Sequence, residues 1–222
     1  LFRSDAVWEL ATQGLIEALE RKGWSYKIDE GGGAFYGPKI DLKIEDAIGR
    51  MWQCSTIQLD FNLPERFKLE YVAADGSRQR PIMIHRAIFG SLERFYGIMT
   101  ENYAGDFPFW LAPEQLRLLP VTDEVRPYAQ QVLEQLTAAG IRATIDQSGD
   151  RLGKLIRNGE QMKIPVLAVI GAKEAEAGSL SLRSRREGDL GSVAVADLLA
   201  AAVAANQQRA AGLGLSPAVH AS

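Results

Sequence analysis

Few side chains in this sequence can do chemistry by themselves, and their spacing limits what that chemistry is. Two histidines, His85 and His220, and one cysteine, Cys54, are all the imidazole and thiol it holds. A structural zinc site takes four protein ligands and a catalytic one about three, so these residues alone complete neither. By spacing, His85 reads as a packed core histidine, and His220 falls in a terminal tail where no ligand is expected. Residues 81–96 pass from an apolar, β-branched run through Gly90 and Ser91 into a stripe of Leu92, Phe95, Tyr96 and Met99. That stripe has helical spacing, and Ser91 is placed to cap it. Arg94 then stands in the first turn, where the helix dipole disfavours a cation. Such an arginine either meets an anion or is solvated, and this stretch leaves both open.

Tyr36 and Lys39 follow the run Gly31-Gly32-Gly33, whose residues tolerate backbone angles that others avoid. Without further information this is a hairpin loop with a surface lysine. Gln53 and Gln58 lie on one predicted strand with opposite parity, so a regular strand points them to opposite faces. Both reach one ligand only if a bulge intervenes. In the C-terminal half, Ser179, Ser181, Arg183 and Arg185 share one face of a strand, while Leu180 and Leu182 share the other. A polar, basic sheet face suits single-stranded bases, read by hydrogen bonding and guanidinium stacking. A solvated edge strand has the same pattern.

The elements that must position these groups are legible as periodicities. A helix is expected over 5–22, with Val7, Leu10, Ala11, Leu15, Ala18 and Leu19 on one side, and a short strand over 24–28. Residues 40–45 alternate as a half-exposed antiparallel strand, and 51–61 form the next. A hairpin is expected from 68–73 and 78–88 around Asp75-Gly76, and the 81–88 stretch reads as largely buried. The segment 107–113, with Pro108 and Pro113, marks a boundary. Beyond it strands over 116–121, 141–145, 165–170 and 180–186 alternate with helices over 124–139, 152–162 and 193–205. That alternation predicts a small three-layer α/β domain with a mainly parallel sheet. Residues 207–222 have no apolar period and read as a disordered tail.

At 222 residues, 46% hydrophobic and 24% charged, the composition is that of a soluble globular protein of one large or two small domains. The net charge of −3 argues against indiscriminate nucleic-acid binding and leaves any such contact to local basic clusters. No apolar run nears the roughly 18 residues of a membrane span. A single cysteine excludes an internal disulfide and fits a reducing cytosol. The sequence opens Leu-Phe-Arg without a methionine and so reads as a fragment.

Three strings carry a family resemblance. The strand, glycine and Glu93-Arg94 helix start of 81–96 resemble motif 3 of class II aminoacyl-tRNA synthetases. The longer MIHRAIFGSLERF is similar to the threonyl-tRNA synthetase branch, as are Gly33-Ala34-Phe35-Tyr36-Gly37-Pro38-Lys39 and the segment 52–61. The resemblance covers about residues 1–206. It implies an α+β C-terminal part of an antiparallel catalytic domain over 1–110, followed by an α/β anticodon-binding domain over 114–206. The implied activity is ATP-dependent conversion of threonine to threonyl-adenylate and its transfer to tRNA(Thr), with magnesium accompanying ATP, in the cytoplasm. Arg94 and Ser91 would then serve the ATP phosphates, with Gln53 along the adenylate pocket and favoured there over Gln58. Tyr36 and Gln58 would contact substrate, with Lys39 beside them as a catalytic residue.

By the same resemblance His85 matches the last of three ligands (one Cys, two His) of a catalytic zinc, whose other ligands are expected upstream. Motifs 1 and 2 and a homodimer interface are also expected there. Cys54 does not match the zinc cysteine. Glu174 and Arg183 stand where the threonine enzyme reads anticodon bases, with Arg157 on a helix nearby. One departure is Ser148-Gly149-Asp150-Arg151 where the family often has Arg-Asn-Glu-Lys, which removes an asparagine side chain at Gly149. A tRNA-binding or regulatory protein without the chemistry, and a prolyl or histidyl synthetase, are the competing readings.

Overall fold

A computed structural model describes residues 5–216, so His220 and the end of the expected tail lie outside the described residues. The chain divides into two compact units between Asn102 and Tyr103.

The first unit opens with helix α1, Asp5–Arg21, which has an acid in its first turn and a base in its last, as the dipole favours. Three strands follow in one antiparallel sheet of order β1-β2-β5: β1 (Lys39–Glu45), β2 (Met51–Asp60) and β5 (Met83–Ala87). Between them lie the short helix α2, Asn62–Arg66, and a small ladder of β3 (Tyr71–Val72) with β4 (Arg78–Gln79) around the Asp75-Gly76 turn. Helix α3, Leu92–Tyr103, closes the unit; Ser91 Oγ accepts the Arg94 N–H at 3.1 Å, the expected cap.

Several expectations are corrected here. The hairpin arm over 78–88 is two strands, because Pro81 has no N–H to donate and breaks the ladder; the second part pairs with β2 instead. That strand is not buried: Ile82, Ile84 and Ile88 are more than half exposed, and α3 buries no residue. β5 is a sheet edge, and nothing among the described residues covers it. The strand over 24–28 is absent and Trp24, Tyr26 and Ile28 are exposed, since no neighbouring strand takes their hydrogen bonds.

The second unit holds most of the apolar core. Its sheet has the order β10-β9-β8-β6-β7, from β6 (Leu116–Pro120), β7 (Ala143–Ile145), β8 (Val166–Ile170), β9 (Ser179–Ser184) and β10 (Gly188–Ala194). Helices α4 (Arg126–Ala138) and α7 (Val195–Gln208) join one side of the sheet in a single core that includes Val132, Leu136, Leu198, Leu118, Ile170, Leu180 and Leu182. A second cluster, Leu119, Leu155, Ile164 and Leu167, seats α5 (Leu152–Gln161) on the sheet. Gly159 allows that contact: a Cβ there would sit 2.5 Å from Leu167 Cδ2. Sheet and helices thus make three layers.

The sheet is mixed rather than mainly parallel. β6 runs parallel to β7 and β8, but β9 and β10 are antiparallel. The link from β8 to β9 holds only the six-residue α6, Ala172–Ala177, too short for the dozen or more residues of a parallel crossover. The boundary expected over 107–113 is part of this unit, because Phe109 is fully buried in its core. The described part of the tail is likewise ordered. α7 runs to Gln208, Leu213 is buried, and Glu187 accepts the Gly214 N–H at 2.6 Å.

Candidate functional site

The three-stranded sheet gathers the N-terminal candidates on one face. Lys39 pairs with Gln58 and Gln58 with His85, while Asp41 pairs with Thr56 and Thr56 with Ala87. Residues directly opposite share a face, so two cross-strand rows carry the polar groups. The register then slips. Leu42 pairs with Ser55 but Lys43 with Gln53, leaving Cys54 as an extra residue on β2. This bulge returns Gln53 to the face of Gln58 despite their opposite parity. Cys54 itself is buried, with its thiol not in a disulfide.

The result is a pocket of about 460 Å³ lined by Gly32, Gly33, Ala34, Tyr36, Lys39, Gln53, Thr56, Gln58, His85 and Ala87. Its size suits a small polar ligand. The glycine loop forms one wall. Gly37 presses against β2 so closely that a Cβ would lie 2.0 Å from the Leu59 carbonyl oxygen, and Phe61 N–H donates to Tyr36 O at 3.1 Å. Tyr36 is thereby held over Gln58, and its hydroxyl donates to Gln58 Oε1 at 3.1 Å.

Two carboxylates organise the lining, and neither was singled out from the sequence. Asp41 Oδ1 accepts Gln53 Nε2 at 2.6 Å and Thr56 Oγ1 at 2.7 Å, while its other oxygen accepts Lys39 Nζ. A carboxylate only accepts, so Gln53 gives its amide nitrogen to Asp41 and keeps Oε1 for a ligand. Asp60, buried at the end of β2, accepts the N–H groups of Asn62 and Leu63 on Oδ1 at 2.7 and 3.0 Å. Its Oδ2 lies 2.8 Å from His85 Nε2. Burial pushes the Asp60 carboxyl up, but the His85, Leu63 and Asn62 bonds outweigh it and hold the group below its ordinary value. The available signal for both was an acid inside a strand: Asp41 on the polar face of β1, Asp60 between Leu59 and Phe61.

Arg94 and Ser91 stand outside the lining. Arg94 Nη1 donates to the Gln53 carbonyl at 3.2 Å, tying the α3 start to the bulge. Gly90, with φ +73°, makes that approach possible: a Cβ there would come within 3.3 Å of the carbonyl oxygens of Gln53 and Cys54. The guanidinium remains exposed beside the pocket.

Among the described residues no three His, Cys, Asp or Glu side chains converge to hold a metal. His85 fits the role of a single ligand. It lines the pocket, and one ring nitrogen is occupied by a carboxylate, the arrangement that orients metal-bound imidazoles.

In the second unit, Leu180 and Leu182 are buried in the core and Arg183 is exposed on the opposite face of β9, as the alternation predicts. Glu174 is not free. Its Oε1 accepts Ser181 Oγ at 2.8 Å and its Oε2 accepts Gly171 N–H at 2.9 Å, and the Ser181 bond foremost holds its carboxyl below the ordinary value. Ser181 lies two residues from Arg183 on the same face, so Glu174 and Arg183 border one surface. Arg157 is on the exposed side of α5, with no hydrogen bond to either. The basic face is thinner than the sequence suggests, because Arg185 donates to Asp106 Oδ1 at 2.9 Å and to the Glu160 carbonyl at 3.0 Å. Gly149 has φ +67°, a left-handed conformation that glycine takes freely and asparagine better than most.

Residues 5–103 match the family described as tRNA synthetase class II core domain (G, H, P, S and T), and residues 115–204 match the anticodon binding domain. The threonine–tRNA ligase of Parasynechococcus marenigrum is 86% identical over 212 residues, covering 96% of this chain and 35% of that protein. That of a Synechococcus species is 85% identical over 212 residues, with the same coverage. Among solved structures, the RNA binding domain of threonyl-tRNA synthetase from Cryptosporidium parvum superposes with a TM-score of 0.82 at 34% identity. The match covers 97% of this chain and 53% of that one. The chain thus spans about a third of the length of these curated relatives. With both family matches in chain order and such identity along nearly its whole length, the chain belongs to the threonine–tRNA ligases, a family of class II aminoacyl-tRNA synthetases.

Proposed function

We propose that this chain supplies part of the amino-acid activation site and the anticodon-reading surface of a threonine–tRNA ligase. That enzyme joins threonine to ATP as threonyl-adenylate and passes the threonyl group to tRNA(Thr). The observation that carries the reading is the Cys54 bulge, which brings Gln53 and Gln58 to one pocket with Tyr36, Lys39 and His85.

In this reading Tyr36 and Gln58, joined by their hydrogen bond, orient the amino acid, and Gln53 Oε1 accepts from the adenylate side. Lys39, held by Asp41, is a fixed positive charge on the pocket wall. Arg94, anchored on the Gln53 carbonyl and followed along α3 by further residues of the motif, neutralises the ATP phosphates at the pocket edge, with Ser91 fixing its helix turn. Preorganised charge of this kind acts where charge develops in the transition state. His85 would hold a zinc ion with ligands from outside these residues. When bound, the metal would supply a Lewis acid for the amino and hydroxyl groups of threonine, which a valine methyl cannot engage. Arg183 and Glu174 read anticodon bases, and Arg157 adds charge for the tRNA backbone. ATP with magnesium, threonine and tRNA(Thr) are the ligands, a homodimer through the rest of the protein the assembly, and the cytoplasm the location.

Threonine-dependent ATP–pyrophosphate exchange by the full-length protein tests this. Arg94→Ala should slow exchange by about a hundredfold or more, the scale for losing one preorganised charge partner. An unchanged rate removes Arg94 from the phosphate site.

A further inference from the structure

We infer that Asp60 is a positioning residue that sets the tautomer of His85, directing the lone pair of Nδ1 into the pocket as a metal-binding base. The inference rests on the proposed role of His85 as a zinc ligand and adds a residue to it.

The geometry is specific. Asp60 Oδ2 lies 2.8 Å from His85 Nε2, and its Oδ1 accepts two backbone N–H groups at the start of α2. A carboxylate oxygen cannot donate, so Nε2 carries a proton. In the neutral ring the other nitrogen is then the acceptor, the form in which imidazole binds a metal. Asp60 is itself enclosed and bonded on both oxygens: its side chain is only 3% exposed, and the α2 N–H groups occupy its second oxygen. His85 is 43% exposed and lines the pocket, so the ring has an open side as well as a fixed one. One buried acid therefore joins the end of β2, the start of α2 and the ring on β5. Capping alone would need only one of its oxygens.

Asp60→Asn separates capping from tautomer control. The asparagine oxygen can still accept the Asn62 and Leu63 N–H groups, so α2 keeps its start. The amide nitrogen then faces His85 and can only donate. Nε2 must become the acceptor, the proton moves to Nδ1, and the lone pair leaves the pocket.

The experiment is zinc affinity by chelator competition on the full-length protein, with a thermal melt as the fold control. Asp60→Asn should bind zinc about 10- to 100-fold more weakly, the range for loss of a carboxylate behind a metal-bound histidine, with its cooperative melt retained. His85→Ala should bind more weakly still. Unchanged affinity in Asp60→Asn beside loss in His85→Ala would overturn the Asp60 role and leave the zinc reading standing. A wild-type protein that holds no zinc would overturn both. If Asp60→Asn does not melt cooperatively, Asp60→Ser, which keeps a capping oxygen but is too short to meet the ring, takes its place. Weakened zinc in a folded Asp60→Ser supports the inference, and unchanged zinc overturns it.

Discussion

Asp41 illustrates how one side chain can set several others. It binds the ends of Gln53, Thr56 and Lys39, which come from two strands and two positions along the pocket. Asp41 and Lys39 side chains are 19% and 23% exposed, so solvent screens their pairing only in part. Asp41→Ala frees the lysine and lets the Gln53 amide rotate, so either of its ends can face a ligand. Charge-assisted hydrogen bonds contribute about 1.5–3 kcal/mol each. Adenylate formation should therefore lose at least about tenfold in kcat/KM, equivalent to about 1.4 kcal/mol. Asp41→Asn, which still accepts from Gln53 and Thr56, should lose less. Steady-state pyrophosphate exchange measures both, and equal losses would mean that only the ion pair with Lys39 matters.

At the scale of elements, the site depends on how tightly the glycine loop, β1 and β2 are pressed together. Gly37 has backbone atoms of Leu59 where a Cβ would go, and a carbonyl cannot swing aside like a flexible side chain. Gly37→Ala should cost about 1–3 kcal/mol, the usual range for forced overpacking. Because Tyr36 is the adjacent residue, the KM for threonine should rise with it. Gly14 gives the contrasting case, since it lies within α1 with nothing near an added Cβ. Gly14→Ala should stabilise by up to about 1 kcal/mol through helix propensity. Denaturant melts of the two variants should move in opposite directions, and a neutral Gly37→Ala would show that the loop is not clamped.

Over the whole molecule the two units differ in self-sufficiency. The second has a large buried core drawn from its own strands and helices, whereas the first buries few apolar residues and exposes Ile82, Ile84, Ile88, Phe89 and Leu92. Residues 103–216 expressed alone should unfold in one cooperative transition. The first unit alone, with its exposed apolar β5 edge, should self-associate. Arg183→Ala in the second unit should leave the melt unchanged, because the side chain is exposed. It should weaken tRNA(Thr) binding by about 1–3 kcal/mol, as loss of a base contact does. Filter binding at two salt concentrations checks this. Equal affinity of variant and parent would remove Arg183 from the anticodon surface.

Much of this protein was legible in the sequence because the signals were local. Periodicity marked α1, α3 and the two faces of β9, and the Ser91 cap follows from one side chain meeting a backbone N–H three residues on. The strings around Tyr36, Gln53 and Arg94 carried the family. Apolar pattern, by contrast, states only that a residue favours burial, and β5 shows the same pattern left exposed where no partner covers it. Extended segments need partners as well, which is why 24–28 formed no strand and why β9 turned antiparallel after the short α6. The tail showed no period, yet Leu213 found a place in the core and Glu187 a pair of N–H groups to accept. Above all, parity alone set Gln53 and Gln58 on opposite faces. Only the pairing of β1 with β2 decided otherwise, by leaving Cys54 over in the ladder. Asp41 and Asp60 gained their importance in the same way, from partners on neighbouring strands that no local spacing could name.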